Sequence, residues 1–167
     1  MSDIKIIDNL LDKDTFNNLQ SFSLGCDFAW HFNNYIDEEN DIDKFCFTHS
    51  LYKYNQPFSA NYDVVHPILD KLNFFVLARI KANLLTRTEK IIANRFHVDH
   101  GKKDWNTSIF YVNTNNGYTQ FKEGTIVDSV ANRLVTFPSE MQHRGTSCTD
   151  EKLRVVINFN WQSDYDR

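Results

Sequence analysis

Apolar residues recur at helical spacing in only two stretches of this chain, both in its first half; from about residue 79 onward the pattern turns to alternation and short apolar runs. Residues 4–7 read as a short strand. Asp12-Lys13-Asp14-Thr15 then supplies a cap and an acidic first turn for a helix reaching about Leu24, with Phe16, Leu19, Phe22 and Ser23 along one face. Residues 28–33 and 45–55 predict strands, being rich in aromatic and β-branched side chains. Between them, 37–43 is a loop by composition. A second helix is predicted over about 62–77, where Val65, Ile68, Leu69, Leu72 and Val76 share a helical face. After it Ile80, Ala82 and Leu84 alternate with Arg79, Lys81 and Asn83, as a strand would require.

The remainder is nearly all β. Strands are predicted over 79–86, 91–99, 106–113, 118–122, 125–127, 134–138, 144–147 and 153–161. His100-Gly101, Asn115-Asn116-Gly117, Glu123-Gly124 and Thr149-Asp150 turn the chain between them. Many short, closely spaced strands predict a sandwich or barrel, and helices confined to the N-terminal half should pack on one outer face of a sheet. In 153–161, Val155, Ile157, Phe159 and Trp161 share an apolar face, whereas Arg154, Val156, Asn158 and Asn160 share a face with polar groups at intervals. A small barrel that holds a ligand presents such a face inward. In 106–113, Thr107, Ile109 and Tyr111 share one face and Ser108, Phe110 and Val112 the other; parity leaves open which looks inward.

With 167 residues the chain is read as a single domain, 1–167, with N-terminal strands and supporting helices over 1–78 and a β core over 79–161. It is 41% hydrophobic and 24% charged, ordinary for a soluble globular protein. A net charge of −4, with no basic cluster longer than Lys102-Lys103, gives no nucleic-acid signal. No apolar run approaches the roughly 18 residues of a membrane span, and Met1-Ser2-Asp3 opens no secretory signal, so no membrane association is expected. The three cysteines, Cys26, Cys46 and Cys148, lack metal-ligand spacing, and their odd number argues against a disulfide framework and for a reducing cytoplasm.

Chemistry concentrates in His97-Val98-Asp99, His143 and Arg154. On a strand, residues two apart point to the same side, so His97 and Asp99 can bind one metal together. A histidine from a distant strand, His143, completes two imidazoles and one carboxylate on one face of an octahedron. The opposite positions stay open, the ligand set of non-haem Fe(II) oxygenases. Arg154, further along the chain, offers a permanent cation to a dicarboxylate.

From Arg79 to Trp161 the sequence resembles the Fe(II)/2-oxoglutarate-dependent oxygenases, within them the prolyl 4-hydroxylase-like branch. The resemblance is carried by Arg95-Phe96-His97-Val98-Asp99, Thr107-Ser108-Ile109-Phe110-Tyr111-Val112-Asn113, Gly117-Tyr118-Thr119-Gln120-Phe121, Leu134-Val135-Thr136-Phe137, His143-Arg144-Gly145 and Arg154-Val155-Val156-Ile157. Arg79-Ile80-Lys81-Ala82-Asn83-Leu84 and the turn Asn113-Thr114-Asn115-Asn116-Gly117 extend it to small uncharacterised members encoded by marine cyanophages, which would place the protein in a host cytoplasm. The resemblance implies a double-stranded β-helix, or jelly-roll. It also implies Fe(II) held by His97, Asp99 and His143, and 2-oxoglutarate as co-substrate, with ascorbate as a candidate reductant. Arg154 would pair with the distal carboxylate of 2-oxoglutarate and Tyr111 would hydrogen-bond it. Asp99 fills the third ligand place, where halogenating relatives carry a small residue, so hydroxylation is favoured. Two positions depart from the family: Asn94 stands where a tyrosine often precedes the first ligand, and Gly117-Tyr118 replaces a double glycine. Both border the substrate side.

Several residues admit two readings. Tyr111 either touches the co-substrate or is a core residue with a satisfied hydroxyl. Asn158 either supports the co-substrate near iron or satisfies backbone groups. Arg95, which shares parity with His97 and Asp99, either projects toward substrate or forms a rim salt bridge, and Trp105 either borders the substrate mouth or packs in the core. His31, His49, His66 and His100 read as structural or exposed. The segment 37–43, with five carboxylates and Ile42 as its apolar member, is read as a flap over the substrate entrance, against the alternative of a solvated loop. Such a flap would favour a basic or neutral peptide. The expected reaction is hydroxylation of a peptidyl residue, proline among the candidates, or of a small molecule. A cupin-like metal module without 2-oxoglutarate chemistry is the competing class, and the oligomeric state is left open.

Overall fold

Alternation over so much of the chain leaves the backbone one economical arrangement, antiparallel sheets with one face buried against each other and one against helices. The computed structural model describes residues 3–36, 44–99 and 103–163. In chain order the strands are β1 (Lys5–Ile7), β2 (His31–Asn33), β3 (Cys46–Lys53), β4 (Gln56–Pro57), β5 (Phe74–Thr86), β6 (Asn106–Tyr111), β7 (Tyr118–Phe121), β8 (Ile126–Asp128), β9 (Arg133–Pro138), β10 (His143–Gly145) and β11 (Leu153–Ser163). The large sheet runs β1-β9-β6-β11-β5-β3-β2, with β4 beside β3; the small sheet runs β10-β7-β8. Two isolated antiparallel bridges, Ala93 to Thr146 and His97 to His143, lay residues 93–97 along the free side of β10. The result is a jelly-roll, as the sequence predicts.

The parity question is answered by which residues share a core. Val155, Ile157, Phe159 and Trp161 of β11 cluster with Ile80, Ala82 and Leu84 of β5 and with Phe110 and Val112. Leu19 of α1 (Lys13–Leu24) belongs to the same cluster, the Phe16 ring meets Phe110 edge-on at 6.2 Å, and Gln20 Nε2 donates to the Val112 carbonyl at 2.7 Å. Asp12 caps this helix as expected, its carboxylate accepting from the Thr15 backbone N–H. Ile109 and Tyr111 therefore face the other way, into a second cluster with Val156 and with Phe121, Val127, Val135 and Phe137.

The second helix is shorter than its periodicity predicts. Only a 3₁₀ turn (Tyr62–Val65) and one turn of helix, α2 (His66–Leu69), form. Val65, Ile68 and Leu69 are buried as a helical face requires, but Val76 belongs to β5, where it pairs with Gln162 while Leu77 pairs with Trp161. A long partner strand overrides local spacing, since Phe74-Phe75-Val76-Leu77 suits a pleated surface as well as a helix. Residues 91–99 also form less regular strand than expected, being tied to β10 only at the two bridges.

Candidate metal centre

His97 and His143 lie directly opposite each other. The His97 N–H donates to the His143 carbonyl at 2.9 Å and the His143 N–H returns a bond to the His97 carbonyl at 3.0 Å. Residues paired in this way project to the same face, and the ring centroids are 4.7 Å apart. Asp99, two residues after His97, comes to the same side. The ligand atoms of the three all lie within 4.8 Å of one another.

Hydrogen bonds set the tautomers. His97 Nδ1 faces the Arg95 carbonyl at 3.2 Å and His143 Nδ1 the Met141 carbonyl at 3.0 Å. A carbonyl only accepts, so each Nδ1 carries the proton and each Nε2 turns a lone pair inward. Those Nε2 atoms stand 3.9 and 3.7 Å from the Asp99 carboxylate. Asp99 Oδ2 is buried and accepts no hydrogen bond from the described residues. An orphaned carboxylate oxygen beside two imidazole lone pairs is a donor set that a divalent cation satisfies. Burial raises the Asp99 pKa, but His143, Arg79 and His97 more than offset it, so the carboxyl sits below its ordinary value. Burial lowers that of His143, against the pull of Asp99. Both shifts favour the ligating forms.

The second carboxylate oxygen is held from the large sheet. Arg79 Nη2 donates to Asp99 Oδ1 at 3.1 Å, and its Nε donates to Asn160 Oδ1 at 2.9 Å. Asn160 in turn donates to Thr107 Oγ1 at 3.1 Å. Arg79 thus fixes which Asp99 oxygen remains for the metal, a role the sequence reading missed. Its signal was the alternation of Arg79, Lys81 and Asn83 with apolar neighbours. Arg79→Met is expected to weaken Fe(II) affinity about 10–100-fold, the usual cost of losing such a partner. Competition with a fluorescent chelator checks it; an unchanged affinity would mean that Asp99 needs no such support.

The three residues open into a cavity of about 460 Å³ between the sheets, within the size range of small-ligand sites. Arg154 and Asn158 line it with Arg79, Lys81, Asn94 and Thr119. Arg154 is 3% exposed; its Nε donates to Ser129 Oγ at 2.8 Å and its Nη2 to Thr119 Oγ1 at 3.3 Å. Among the described residues no carboxylate pairs with it. Burial pulls its pKa down, against Tyr111 and Cys148. Gly117 leaves the guanidinium its room, since a Cβ there would meet Arg154 Cδ and the Ser147 carbonyl, both at 2.7 Å.

Tyr111 is not in the cavity wall. It is fully buried, its hydroxyl donates to Thr119 Oγ1 at 2.8 Å, and the Arg154 guanidinium lies 5.7 Å from its ring centroid. The inward face of β6 meets the small sheet here, and the phenol lies against Thr119 and Arg154. Thr119 lies in a segment that carries the family resemblance but was given no role there, and Ser129, whose contact depends on sheet-to-sheet register, carried no sequence signal. Asn158 does line the cavity, and its Oδ1 is buried without a partner among the described residues. Arg95 lies exposed at the rim. Trp105 is outside the wall; its carbonyl accepts from the Ser139 N–H at 2.8 Å. His49 is buried between the Ala29 carbonyl and Ser59 Oγ, while His31 and His66 are exposed. His100 and the segment 37–43 lie outside the described residues.

Fold and site together define a jelly-roll carrying a two-histidine, one-carboxylate cluster beside a buried arginine that no carboxylate pairs among the described residues. No family model matches the sequence, and no curated protein matches it. Solved structures do match. A prolyl-4-hydroxylase from Pseudomonas putida superposes with a TM-score of 0.63 at 12% identity, covering 97% of this chain and 94% of that one. A prolyl hydroxylase from Trichoplax adhaerens, in complex with a hypoxia inducible factor oxygen degradation domain peptide fragment, gives 0.66 at 13%, covering 98% and 84%. HygX from Streptomyces hygroscopicus, with nickel and 2-oxoglutarate bound, gives 0.60 at 8%, covering 98% and 84%. The fold is therefore that of the prolyl 4-hydroxylases and other 2-oxoglutarate, Fe(II) oxygenases.

Proposed function

We propose that this protein is an Fe(II)- and 2-oxoglutarate-dependent dioxygenase that hydroxylates a C–H bond of its substrate. The observation that carries this reading is the coexistence, in one cavity, of the His97, Asp99 and His143 cluster with Arg154, a buried guanidinium lacking a carboxylate partner among the described residues. His97, Asp99 and His143 hold the iron. Arg154 takes the distal carboxylate of 2-oxoglutarate, with Thr119 and Ser129 orienting the guanidinium and Tyr111 bracing them. Asn158 borders the co-substrate. When bound, iron and 2-oxoglutarate supply the oxidising power, with succinate and CO₂ as by-products. The protein supplies orientation and a cavity that encloses the reacting groups between the sheets.

A metal module without 2-oxoglutarate would gain nothing from a buried arginine, whose unpaired charge is unfavourable to bury. The fold-level likeness to prolyl hydroxylases supports a peptidyl residue, proline among the candidates. The polar cavity wall, with Lys81 and Asn94 in it, supports a small molecule as the second reading. Screening peptides and small metabolites for stimulated succinate release, with mass spectrometry for gain of one oxygen atom, tests the proposal. A true substrate gives both signals in step. Metal binding with no succinate from any condition, including slow substrate-free decay, would favour the bare metal module.

A further inference from the structure

Lys81 is a cation in the cavity that the metal and co-substrate leave unused. It projects from the middle of β5 into the cavity, and its Cα is paired with that of Asn158, whose Oδ1 is buried without a partner among the described residues. Arg79, paired with Asn160 and bonded to Asp99, marks the level of the metal. Lys81 is one inward-facing step away, about 7 Å at ~3.3 Å per residue. Arg154, opposite Leu85, is two further steps along the sheet. Lys81 therefore stands beside the metal, not beside the co-substrate's far end.

The charge balance points the same way. Iron and 2-oxoglutarate would offset each other, and Asp99 offsets Arg79, so among the described residues Arg154 and Lys81 leave the loaded cavity positive. This is a local excess in a chain whose net charge is −4. Lys81 is mostly buried, and among the described residues no carboxylate pairs with its ammonium. Burial, with Arg79 nearby, pushes its pKa down against the pull of Asp99. Partial burial of an ammonium without a carboxylate is unfavourable, and an incoming anion would supply the partner.

We infer that Lys81 is a substrate-binding residue, that the molecule oxidised at this centre carries a carboxylate, and that Lys81 grips that carboxylate beside the metal. One ammonium flanked by the amides of Asn83 and Asn158 suits a singly charged group better than a phosphate. The acidic segment 37–43, read from sequence as favouring a basic or neutral peptide, lies outside the described residues, and the cavity's own charge argues the other way.

The inference rests on the proposed function, and its test keeps the two apart. Protein loaded with Mn(II) and saturating 2-oxoglutarate is titrated with acetate, propionate, benzoate and N-acetylproline, each against its amide, and with inorganic phosphate. At least one acid should bind roughly tenfold or more tightly than its amide, as a charge-assisted hydrogen bond allows. Lys81→Met should erase that preference, Lys81→Arg should keep it, and both should hold 2-oxoglutarate within about twofold of the parent affinity. No acid preferred over its amide, a preference that survives Lys81→Met, or tighter binding of phosphate would overturn the inference. So would a large loss of 2-oxoglutarate affinity in Lys81→Met, which would assign Lys81 to the co-substrate. Failure of the parent protein to bind 2-oxoglutarate at all would overturn the proposed function, and this inference with it.

Discussion

Asp99→Ala is expected to abolish stoichiometric Fe(II) retention and all turnover while leaving the fold intact. The loss should exceed the roughly 10–100-fold cost of removing an outer partner, because the substitution deletes the only carboxylate of the cluster. The fold should survive because Asp99 contributes no packing to either core cluster, and its neighbour Arg79 keeps its bond to Asn160 and is partly solvated. Removing a buried, unsatisfied carboxylate oxygen also relieves an unfavourable burial in the metal-free protein. Metal analysis after gel filtration, thermal melting and succinate release together check this. A variant that retained one iron per chain and released succinate at the parent rate would refute the ligand assignment.

Arg154→Ala should separate the two cofactors. The co-substrate loses its far anchor while its chelating end and the three metal ligands are untouched. A charged, forked hydrogen bond of about 1.5–3 kcal/mol corresponds to roughly 10- to 150-fold in 2-oxoglutarate affinity, with iron affinity nearly unchanged. Arg154→Lys should fall between, since lysine offers the charge without the planar fork. It would also lose the geometry by which Arg154 reaches both Ser129 and Thr119. Isothermal titration of the Mn(II)-loaded protein reads both affinities. Unchanged 2-oxoglutarate binding in Arg154→Ala would move the anchor to another cation of the cavity, with Lys81 and Arg95 the next to test.

Asp99 and Arg154 stand out in the sequence because short-range parity alone groups them with their neighbours. Two residues apart on a strand suffices for His97 and Asp99, and the polar face of 153–161 announces Arg154. A sandwich or barrel was legible for a similar reason, as strand after strand repeats the same alternation, whereas the jelly-roll itself was implied by the family resemblance. What stayed hidden depends on register between strands distant in sequence. Arg79 meets Asp99 only because β5 pairs with β11 so that Arg79 stands opposite Asn160. Tyr111 shares the inward parity of Ile109, yet parity cannot tell that its hydroxyl stops at Thr119. The overlong second helix fails for the same reason, since Val76 fits a helical face locally and a strand partner, Gln162, claims it globally.

Whether one cavity holds iron and 2-oxoglutarate together is read out by anaerobic titration. Fe(II) is added first and 2-oxoglutarate second, while the visible metal-to-ligand charge-transfer band is followed. The account predicts a band that saturates at one iron and one 2-oxoglutarate per chain, is lost in Asp99→Ala, and requires far more 2-oxoglutarate in Arg154→Ala. A parent protein that binds Fe(II) yet develops no band at any 2-oxoglutarate concentration would contradict it.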